Sequence, residues 1–187
     1  MVIICGGVDL SANERKTSGL SILKLNGNNQ NIQLQYIGKF KEDRELIGII
    51  KHNGVQAVAI DSPLTMPKLG SYYRKVDLKM IKMGYRVLPP AWPSMRRLTE
   101  RGIRLATILN SMGITVIETH PSSCVKSSGC GTYEHLLQML GILKIQRVSR
   151  DEKDALVSAL LCLYYMLKNS IIIQDEDGSI ALLPRIC

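Results

Sequence analysis

Two apolar, strand-like segments of the chain each end in an aspartate, and this pairing constrains the fold more than any other feature. They are residues 2–9, ending in Asp9, and residues 55–61, ending in Asp61. A carboxylate at the edge of an apolar strand is costly unless it is paired, hydrated or bound to a cation. If the two strands are parallel neighbours, both carboxylates converge at the strand ends, which favours a divalent metal site. The alternative is that each aspartate caps a turn.

Alternating apolar and polar residues predict two further strands early in the chain. They cover residues 18–25 and 31–38, and residues 26–30 form the hairpin loop between them. With residues 2–9 these strands make an antiparallel meander. A helix at residues 42–53 then provides the right-handed crossover that lays the second aspartate-ending strand parallel to the first and beside it.

The middle of the chain is less regular. Residues 62–93 contain five prolines and two glycines, which predicts a long, partly helical insertion above the sheet. Ser94 is a suitable N-cap for a helix that runs to about Met112. A strand at residues 114–118 and a short helix at residues 133–140 follow.

The C-terminal part opens with a capping box at residues 149–152 (Ser-Arg-Asp-Glu), which begins a helix to about Lys168. Apolar runs at residues 171–173 and 180–183 flank a turn and predict a terminal hairpin. The element order predicts an α/β fold: a mixed sheet, in which a three-strand antiparallel meander is joined to parallel strands, flanked by helices.

Length and composition favour a single domain over residues 1–187 with an ordinary hydrophobic core. No apolar run approaches the roughly 20 residues that span a bilayer. The N-terminus has no basic region before its short apolar stretch, as a secretory signal would require. The sequence therefore predicts a cytoplasmic protein with no membrane partner.

Positive charge is concentrated in residues 68–104, which contain ten Lys and Arg residues and only two acidic residues, Asp77 and Glu100. This stretch accounts for the whole net charge of +8 and favours a polyanionic partner such as nucleic acid. A solvated helix face explains it equally well. Four aromatic residues lie among these cations, suited either to base stacking or to packing of a small subdomain: Tyr72, Tyr73, Tyr85 and Trp92.

Five residues are candidates for contact with nucleic acid. Arg74 and Arg101 suit phosphate, because a guanidinium can donate two parallel hydrogen bonds. Lys75 and Arg97 belong to the same basic stretch. His120 follows a predicted strand and is a candidate for positioning water or contacting phosphate, with an ordinary loop histidine as the alternative.

Further carboxylates can complete a site around the two aspartates. Asp151 and Asp154 lie three residues apart on the last long helix and therefore project from one face. Asp154 directly precedes an apolar run and is the stronger candidate, whereas Asp151 is equally explained as a first-turn acid that favours the helix dipole. Glu118 ends a predicted strand and is a candidate further ligand or supporting group.

The five cysteines form no Cys-x-x-Cys pair. Cys5 and Cys162 lie in apolar segments and are interpreted as small core residues. His120, Cys124 and Cys130 have a spacing that fits no standard zinc pattern. A disulfide between Cys124 and Cys130 is not expected in a reducing cytosol.

Six short motifs occur in a specific order: residues 7–12 (GVDLSA), 59–64 (AIDSPL), 74–77 (RKVD), 95–102 (MRRLTERG), 116–121 (VIETHP) and 151–156 (DEKDAL). Together they resemble a family of predicted nucleases (domain of unknown function 429) of the ribonuclease H-like superfamily. The site pattern is similar to that of RuvC-type Holliday junction resolvases, which carry acidic residues on strand one, strand four and the final helix. Asp9, Asp61, Asp151 and Asp154 match those places, although the resolvase has glutamate where Asp61 stands.

The resemblance implies a ribonuclease H-like domain that hydrolyses phosphodiester bonds of DNA or RNA with Mg²⁺ or Mn²⁺. Asp9 would bridge two metal ions, Asp61 and Asp154 would be further ligands, and Asp151 or Glu118 would complete the set. A junction-cleaving enzyme needs two active sites, which would imply a homodimer.

Two alternatives stay open on the same fold. One is a non-catalytic nucleic-acid-binding or regulatory protein, whose salt-sensitive binding needs neither metal nor Asp9. The other is an ATP-dependent phosphotransferase. Residues 61–64 (DSPL) argue against it, because they lack the glycines of a second phosphate loop.

Overall fold

The computed structural model describes residues 2–27, 31–139, 141–142 and 148–187. Its strands are β1 Val2–Asp9, β2 Ser18–Asn26, β3 Asn31–Phe40, β4 Ala57–Asp61, β5 Thr115–Thr119, β6 Ile171–Asp175 and β7 Gly178–Leu182. Its helices are α1 Asp43–His52, α2 Lys75–Lys82, α3 Pro93–Ser111, α4 Pro121–Ser127, α5 Tyr133–Met139 and α6 Arg150–Met166.

Within the described residues, the strands form one sheet in the order β3-β2-β1-β4-β5-β7-β6. β1, β2 and β3 are the predicted antiparallel meander, and α1 returns the chain so that β4 lies parallel to β1. The predicted C-terminal hairpin is confirmed as β6 and β7. Of the predicted loop at residues 26–30, residues 28–30 lie outside the described ranges.

Helix α6 lies directly against the sheet because two glycines leave room for it. A Cβ atom on Gly7 of β1 would come within 2.0 Å of the Ala159 amide nitrogen, and one on Gly19 of β2 within 2.2 Å of the Asp151 carbonyl oxygen. Any side chain at either position would push the helix away. The two glycines therefore hold the first turn of α6 beside the end of β1.

The opposite face of the sheet is covered by α1 and α3. Leu46 and Ile50 of α1 and Leu105 and Leu109 of α3 are fully buried in one apolar cluster with residues of β1, β2 and β4. The α6 face has its own cluster, which includes residues of α2, α4 and α5. The sheet is thus buried on both faces, as parallel strands joined by helices require.

One helix boundary and one whole helix differ from the sequence expectation. α3 begins at Pro93 with Trp92 as the N-cap, not Ser94, because proline suits the first turn of a helix. α4 was not predicted, since seven residues are too few to show a helical period. The predicted capping box is confirmed, because Ser149 and Glu152 exchange hydrogen bonds at the start of α6.

The cysteines depart from the sequence analysis in one respect, because no disulfide was expected. Cys130 forms a disulfide with Cys187, so its thiol is not free to bind zinc. Cys124 is free and buried, with its Sγ atom 3.3 Å from the Thr119 hydroxyl. Burial raises the pKa of Cys124 to about 11. Its two cysteines are 57 residues apart, and no local pattern connects them.

Candidate active site

Asp9 and Asp61 lie side by side at the same edge of the sheet. They are the last residues of β1 and β4, and they are paired in the parallel register of these strands. Neighbouring strands are about 4.8 Å apart, and register partners in a parallel pair leave the same face. Two residues earlier in each strand, Gly7 lies against α6 and Ala59 belongs to the apolar cluster on the α6 face. Both carboxylates therefore project towards α6.

The end of β4 is fixed from the other face. A Cβ atom on Gly102 of α3 would lie 2.4 Å from the Ser62 hydroxyl, so the helix contacts the backbone just after Asp61. The Ser62 hydroxyl donates to the Leu98 carbonyl oxygen at 3.2 Å. This contact holds the segment that carries Asp61 in place.

The pKa values of both aspartates are raised. Burial, followed by repulsion from Asp154 and Asp151, raises the pKa of Asp9 to about 7. Burial, followed by repulsion from Asp9 and Asp154, raises the pKa of Asp61 well above its ordinary value. Over the described ranges, no side chain donates a hydrogen bond to either carboxylate and no cation lies within 4.0 Å. A carboxylate pair in this state is suited to a bound cation.

Helix α6 adds Asp154 to the pair. Its carboxylate is buried, accepts a hydrogen bond from the Tyr133 hydroxyl and lies 3.6 Å from the Arg150 guanidinium. Burial raises the pKa of Asp154, while Tyr133 and Arg150 lower it. Asp151 is more exposed, and its carboxylate lies 3.4 Å from Lys39 Nζ. The structure thus brings Asp154 towards the strand-end aspartates and leaves Asp151 at the rim.

Glu118 lies nearby but in a different environment. It pairs with Ile60 in the register of β5 and β4, one residue out of phase with Asp61, so alternation places it on the opposite face. Its carboxylate accepts two hydrogen bonds from Arg74, at 2.8 and 2.6 Å, and one from the Leu64 amide at 2.8 Å. Burial raises the pKa of Glu118, and the bonds from Arg74 lower it. Its bonding capacity is taken up within the protein.

Arg74 is inside the protein, which corrects the expectation that it contacts phosphate. Only 1% of the residue is exposed, and its guanidinium bonds both Glu118 and Asp77. Asp77 also accepts from the Arg74 amide at 2.9 Å, which closes the first turn of α2. An arginine held this way links α2 to β5 and has no donor turned to solvent.

Arg101 is corrected for the same reason. It is 2% exposed, and its guanidinium bonds Asp43 at 2.8 and 2.9 Å. It also donates to the carbonyl oxygens of Ser11 and Lys41, at 2.9 and 3.0 Å. It therefore fixes α3 to two loops rather than facing a ligand. Lys75 and Arg97, by contrast, are exposed as a nucleic acid contact requires.

His120 lies at the start of α4, where β5 ends. Its Nδ1 atom is 2.7 Å from the Ser123 hydroxyl, which orients the ring. Burial lowers the pKa of His120, which favours the neutral imidazole. It lines the same cleft as Asp9 and Asp61.

Asp9 separates two depressions in the surface. One is a cleft of about 240 Å³, lined by Asp9, Asp61 and His120 and by side chains that include Leu88 and Leu98. The other, of about 590 Å³, has Asp9 and Asp151 beside Ser11, Arg15, Lys16, Thr17 and Lys41. Asp9 therefore borders both depressions, whereas Asp61 borders only the cleft.

The donor set suits a hard cation. Across the described residues, no group of three or more His, Cys, Asp or Glu side chains is arranged to hold a metal ion unaided. Mg²⁺ does not need such a cage, because it keeps several waters and is commonly bound by one or two carboxylates together with substrate phosphates. Asp9 and Asp61 offer oxygen ligands with uncompensated charge, and therefore fit this kind of ion.

Neither a protein-family model nor a curated protein sequence matches the chain. Among solved structures, T. thermophilus RuvC in complex with a Holliday junction substrate matches with a TM-score of 0.58 at 13% identity, covering 88% of this chain and 96% of that chain. The chain has the RuvC-like ribonuclease H fold. The expected fold is confirmed, whereas membership of the domain of unknown function 429 family is not.

A fowlpox virus resolvase bound to Holliday junction DNA also matches, with a TM-score of 0.42 at 13% identity, covering 89% of this chain and 98% of that chain. A TM-score this low is insufficient for comparing individual residues.

In the part of the chain that the structure describes, no helix is both long and apolar enough to cross a membrane.

Three contributors to this candidate site were not predicted from the sequence. Tyr133 bonds Asp154 from a separate helix, 21 residues away, and no local pattern connects them. Gly7 and Gly19 position α6, and their signal was available, because glycine inside a strand marks a close backbone approach.

Proposed function

We propose that the protein is a metal-dependent nuclease that hydrolyses phosphodiester bonds. The observation that carries this proposal is that Asp9 and Asp61 are register partners at the ends of two parallel strands. Neither has an ion-pair partner among the described residues, and Asp154 lies beside them. Phosphodiester hydrolysis needs positive charge to stabilise the attacking and leaving oxygens, and a carboxylate-bound divalent cation supplies it. The RuvC-like fold supports the proposal.

In this proposal Asp9, Asp61 and Asp154 hold Mg²⁺ or Mn²⁺, with Asp151 at the rim. The bound metal would activate water and act as a Lewis acid. Tyr133 and Arg150 fix the Asp154 carboxylate.

The remaining side chains complete the site around these ligands. His120, which lines the cleft and is oriented by Ser123, would position water or contact phosphate. Glu118 acts indirectly, since it accepts from the Leu64 amide and so anchors the turn after Asp61.

Nucleic acid would be held by the exposed part of the basic stretch. Lys75, Lys82, Arg86 and Arg97 are exposed and neutralise phosphates. Tyr72 and Trp92 are 60% and 42% exposed, which leaves their rings available for stacking on bases. A substrate with two scissile strands, such as a four-way junction, would require a homodimer.

The test is cleavage of labelled single-stranded, duplex, hybrid and four-way-junction substrates with Mg²⁺ or Mn²⁺. We expect the wild type to cleave at least one of them, Asp9→Asn to cleave none, and Glu100→Gln, which neutralises an exposed acid on α3, to match the wild type. Cleavage that persists in Asp9→Asn or in excess chelator would overturn the mechanism.

A second candidate is a nucleic-acid-binding protein without catalysis. It is favoured by the concentration of charge in residues 68–104, which binding alone would explain. Tight, salt-sensitive binding in chelator by both wild type and Asp9→Asn, without cleavage in any metal, would establish it. A phosphotransferase is disfavoured, because Ser62 is buried against Leu98 where a phosphate loop would need exposed backbone amides.

A further inference from the structure

A basic groove lies on the side of Asp9 away from His120. It is the depression of about 590 Å³ lined by residues 15–17 of the β1–β2 loop and by Lys41, with Asp9 and Asp151 also lining it, and is called here the Lys41 groove. Arg15, Lys16 and Lys41 are all exposed. Among the described residues, no carboxylate lies within 4.0 Å of these three cations. They lie outside the basic stretch at residues 68–104.

The groove is held in shape by buried Arg101. Its Nη1 atom donates to the carbonyl oxygen and hydroxyl of Ser11, both at 2.9 Å, and its Nη2 atom donates to the Lys41 carbonyl oxygen at 3.0 Å. One guanidinium therefore ties both walls together. A second tie runs from the Asp43 amide to the Glu14 carboxylate at 2.9 Å. The two segments that carry the cations are thus fixed relative to Asp9.

The chemistry of the lining indicates the ligand. Arg15, Lys16 and Lys41 offer only charged donors, and Ser11 and Thr17 offer hydroxyls. No aromatic ring lines the groove among the described residues, so it offers nothing on which a base could stack. Cations without an acidic partner retain their full charge for an external anion, and spaced phosphates are the polyanion that such a row neutralises.

We propose that the Lys41 groove binds the sugar-phosphate backbone of a nucleic acid strand, which then crosses Asp9 into the cleft at His120. The proposal rests on the proposed function for the position of the scissile bond, but not for the binding itself. It makes Arg101 a positioning residue: the guanidinium does not contact the nucleic acid, and instead holds Ser11 and Lys41 where the strand lies.

The test compares two triple variants that remove the same charge. One is Arg15→Gln, Lys16→Gln and Lys41→Gln in the groove. The control is Lys51→Gln, Lys168→Gln and Arg185→Gln, three exposed cations after or near the ends of α1, α6 and β7. Binding of fluorescently labelled duplex DNA is measured in chelator between about 50 and 200 mM salt. Thermal unfolding confirms that each variant folds, and Lys41→Gln alone replaces the groove triple if it does not.

We expect the groove triple to bind at least about tenfold more weakly, and the slope of log affinity against log salt to fall by up to about 2.7, since each phosphate contact contributes about 0.9. The control triple keeps the wild-type slope. Equal losses in both triples, or no binding by the wild type, would overturn the proposal.

The two proposals fail separately. If the wild type cleaves and the groove triple binds like the control, the groove fails and the nuclease stands. If no substrate is cleaved but the groove triple alone loses affinity and slope, the groove stands and the nuclease fails.

Discussion

Two groups of carboxylates lie at the same end of the sheet, one buried and one partly buried, and they differ in how their charge is compensated. In one group, Glu118 and Asp77 share the guanidinium of Arg74, with bonds of 2.6 Å from Nη2 to each. In the other group, Asp9 and Asp61 have no cation within ion-pair distance among the described residues, and the pKa of each is raised. Both groups are at least partly shielded from solvent, but only the first has a cation partner.

This difference separates a structural role from a functional one. A buried acid with a guanidinium partner links elements and needs nothing further. Buried acids that repel one another destabilise the empty protein, and such an arrangement is typical of sites that acquire charge from a ligand. Glu118 therefore leaves the set of candidate ligands, although its position at a strand end resembles that of Asp61.

Asp9→Asn tests the uncompensated group and carries the largest expected effect. We expect cleavage to fall by at least about 1,000-fold, equivalent to about 4 kcal/mol in activation free energy. The free energy of unfolding should be unchanged or higher, because the substitution removes repulsion from Asp154 and Asp151. Single-turnover cleavage and urea denaturation measure the two quantities. A variant that loses activity because it unfolds more easily would argue against this assignment.

Arg74→Met tests the compensated group. It leaves Glu118 and Asp77 buried without a cation, which costs about 3–5 kcal/mol in free energy of unfolding. Urea denaturation gives the value. The control is Arg96→Met, which breaks an exposed ion pair with Glu100 and should leave stability unchanged within error. A loss no larger than that of the control would mean that this triad is not a structural link.

The pH dependence of stability should differ between the wild type and Asp9→Asn. The pKa of Asp9 is about 7 in the folded state against 3.8 as its ordinary value, so the folded state binds the proton more tightly. Its contribution therefore favours folding at low pH and is lost as pH rises from about 4 through 7. Melting temperature plotted against pH over this range should be flatter for Asp9→Asn than for the wild type. Identical plots for the two proteins would contradict this prediction.

Bound Mn²⁺ should restore the folding stability that is lost at high pH. At pH 8 and about 100 times its dissociation constant, the metal should stabilise the wild type by about 2.7 kcal/mol. Asp9→Asn should show little or no shift in melting temperature under the same conditions. An equal shift in both proteins would place the metal elsewhere.

Tyr133→Phe carries the smallest expected effect. It removes one hydrogen bond to Asp154, worth about 1 kcal/mol, and should weaken Mn²⁺ affinity about fivefold. The dependence of cleavage rate on Mn²⁺ concentration measures this shift, with Tyr165→Phe near the C-terminal end of α6 as the control. A rate that falls without any change in metal dependence would mean that Tyr133 does not act through Asp154.

The strands and their aspartates were predictable from the sequence because their signals are local. An apolar run that ends in Asp9, a second that ends in Asp61 and a capping box at Ser149 and Glu152 are each visible within ten residues. The mixed sheet then followed from the handedness of the crossover. These signals were sufficient to place two of the proposed metal ligands side by side.

The fate of the charged residues was not predictable in this way. Arg74 and Arg101 look like their exposed neighbours Lys75 and Arg97 in sequence, and only contacts with Glu118 and Asp43, tens of residues distant, bury them. Local sequence reports how a segment folds and which face it buries. Whether a given charge meets a partner depends on distant elements brought together by packing, and that pairing separates the structural acids from the candidate catalytic ones.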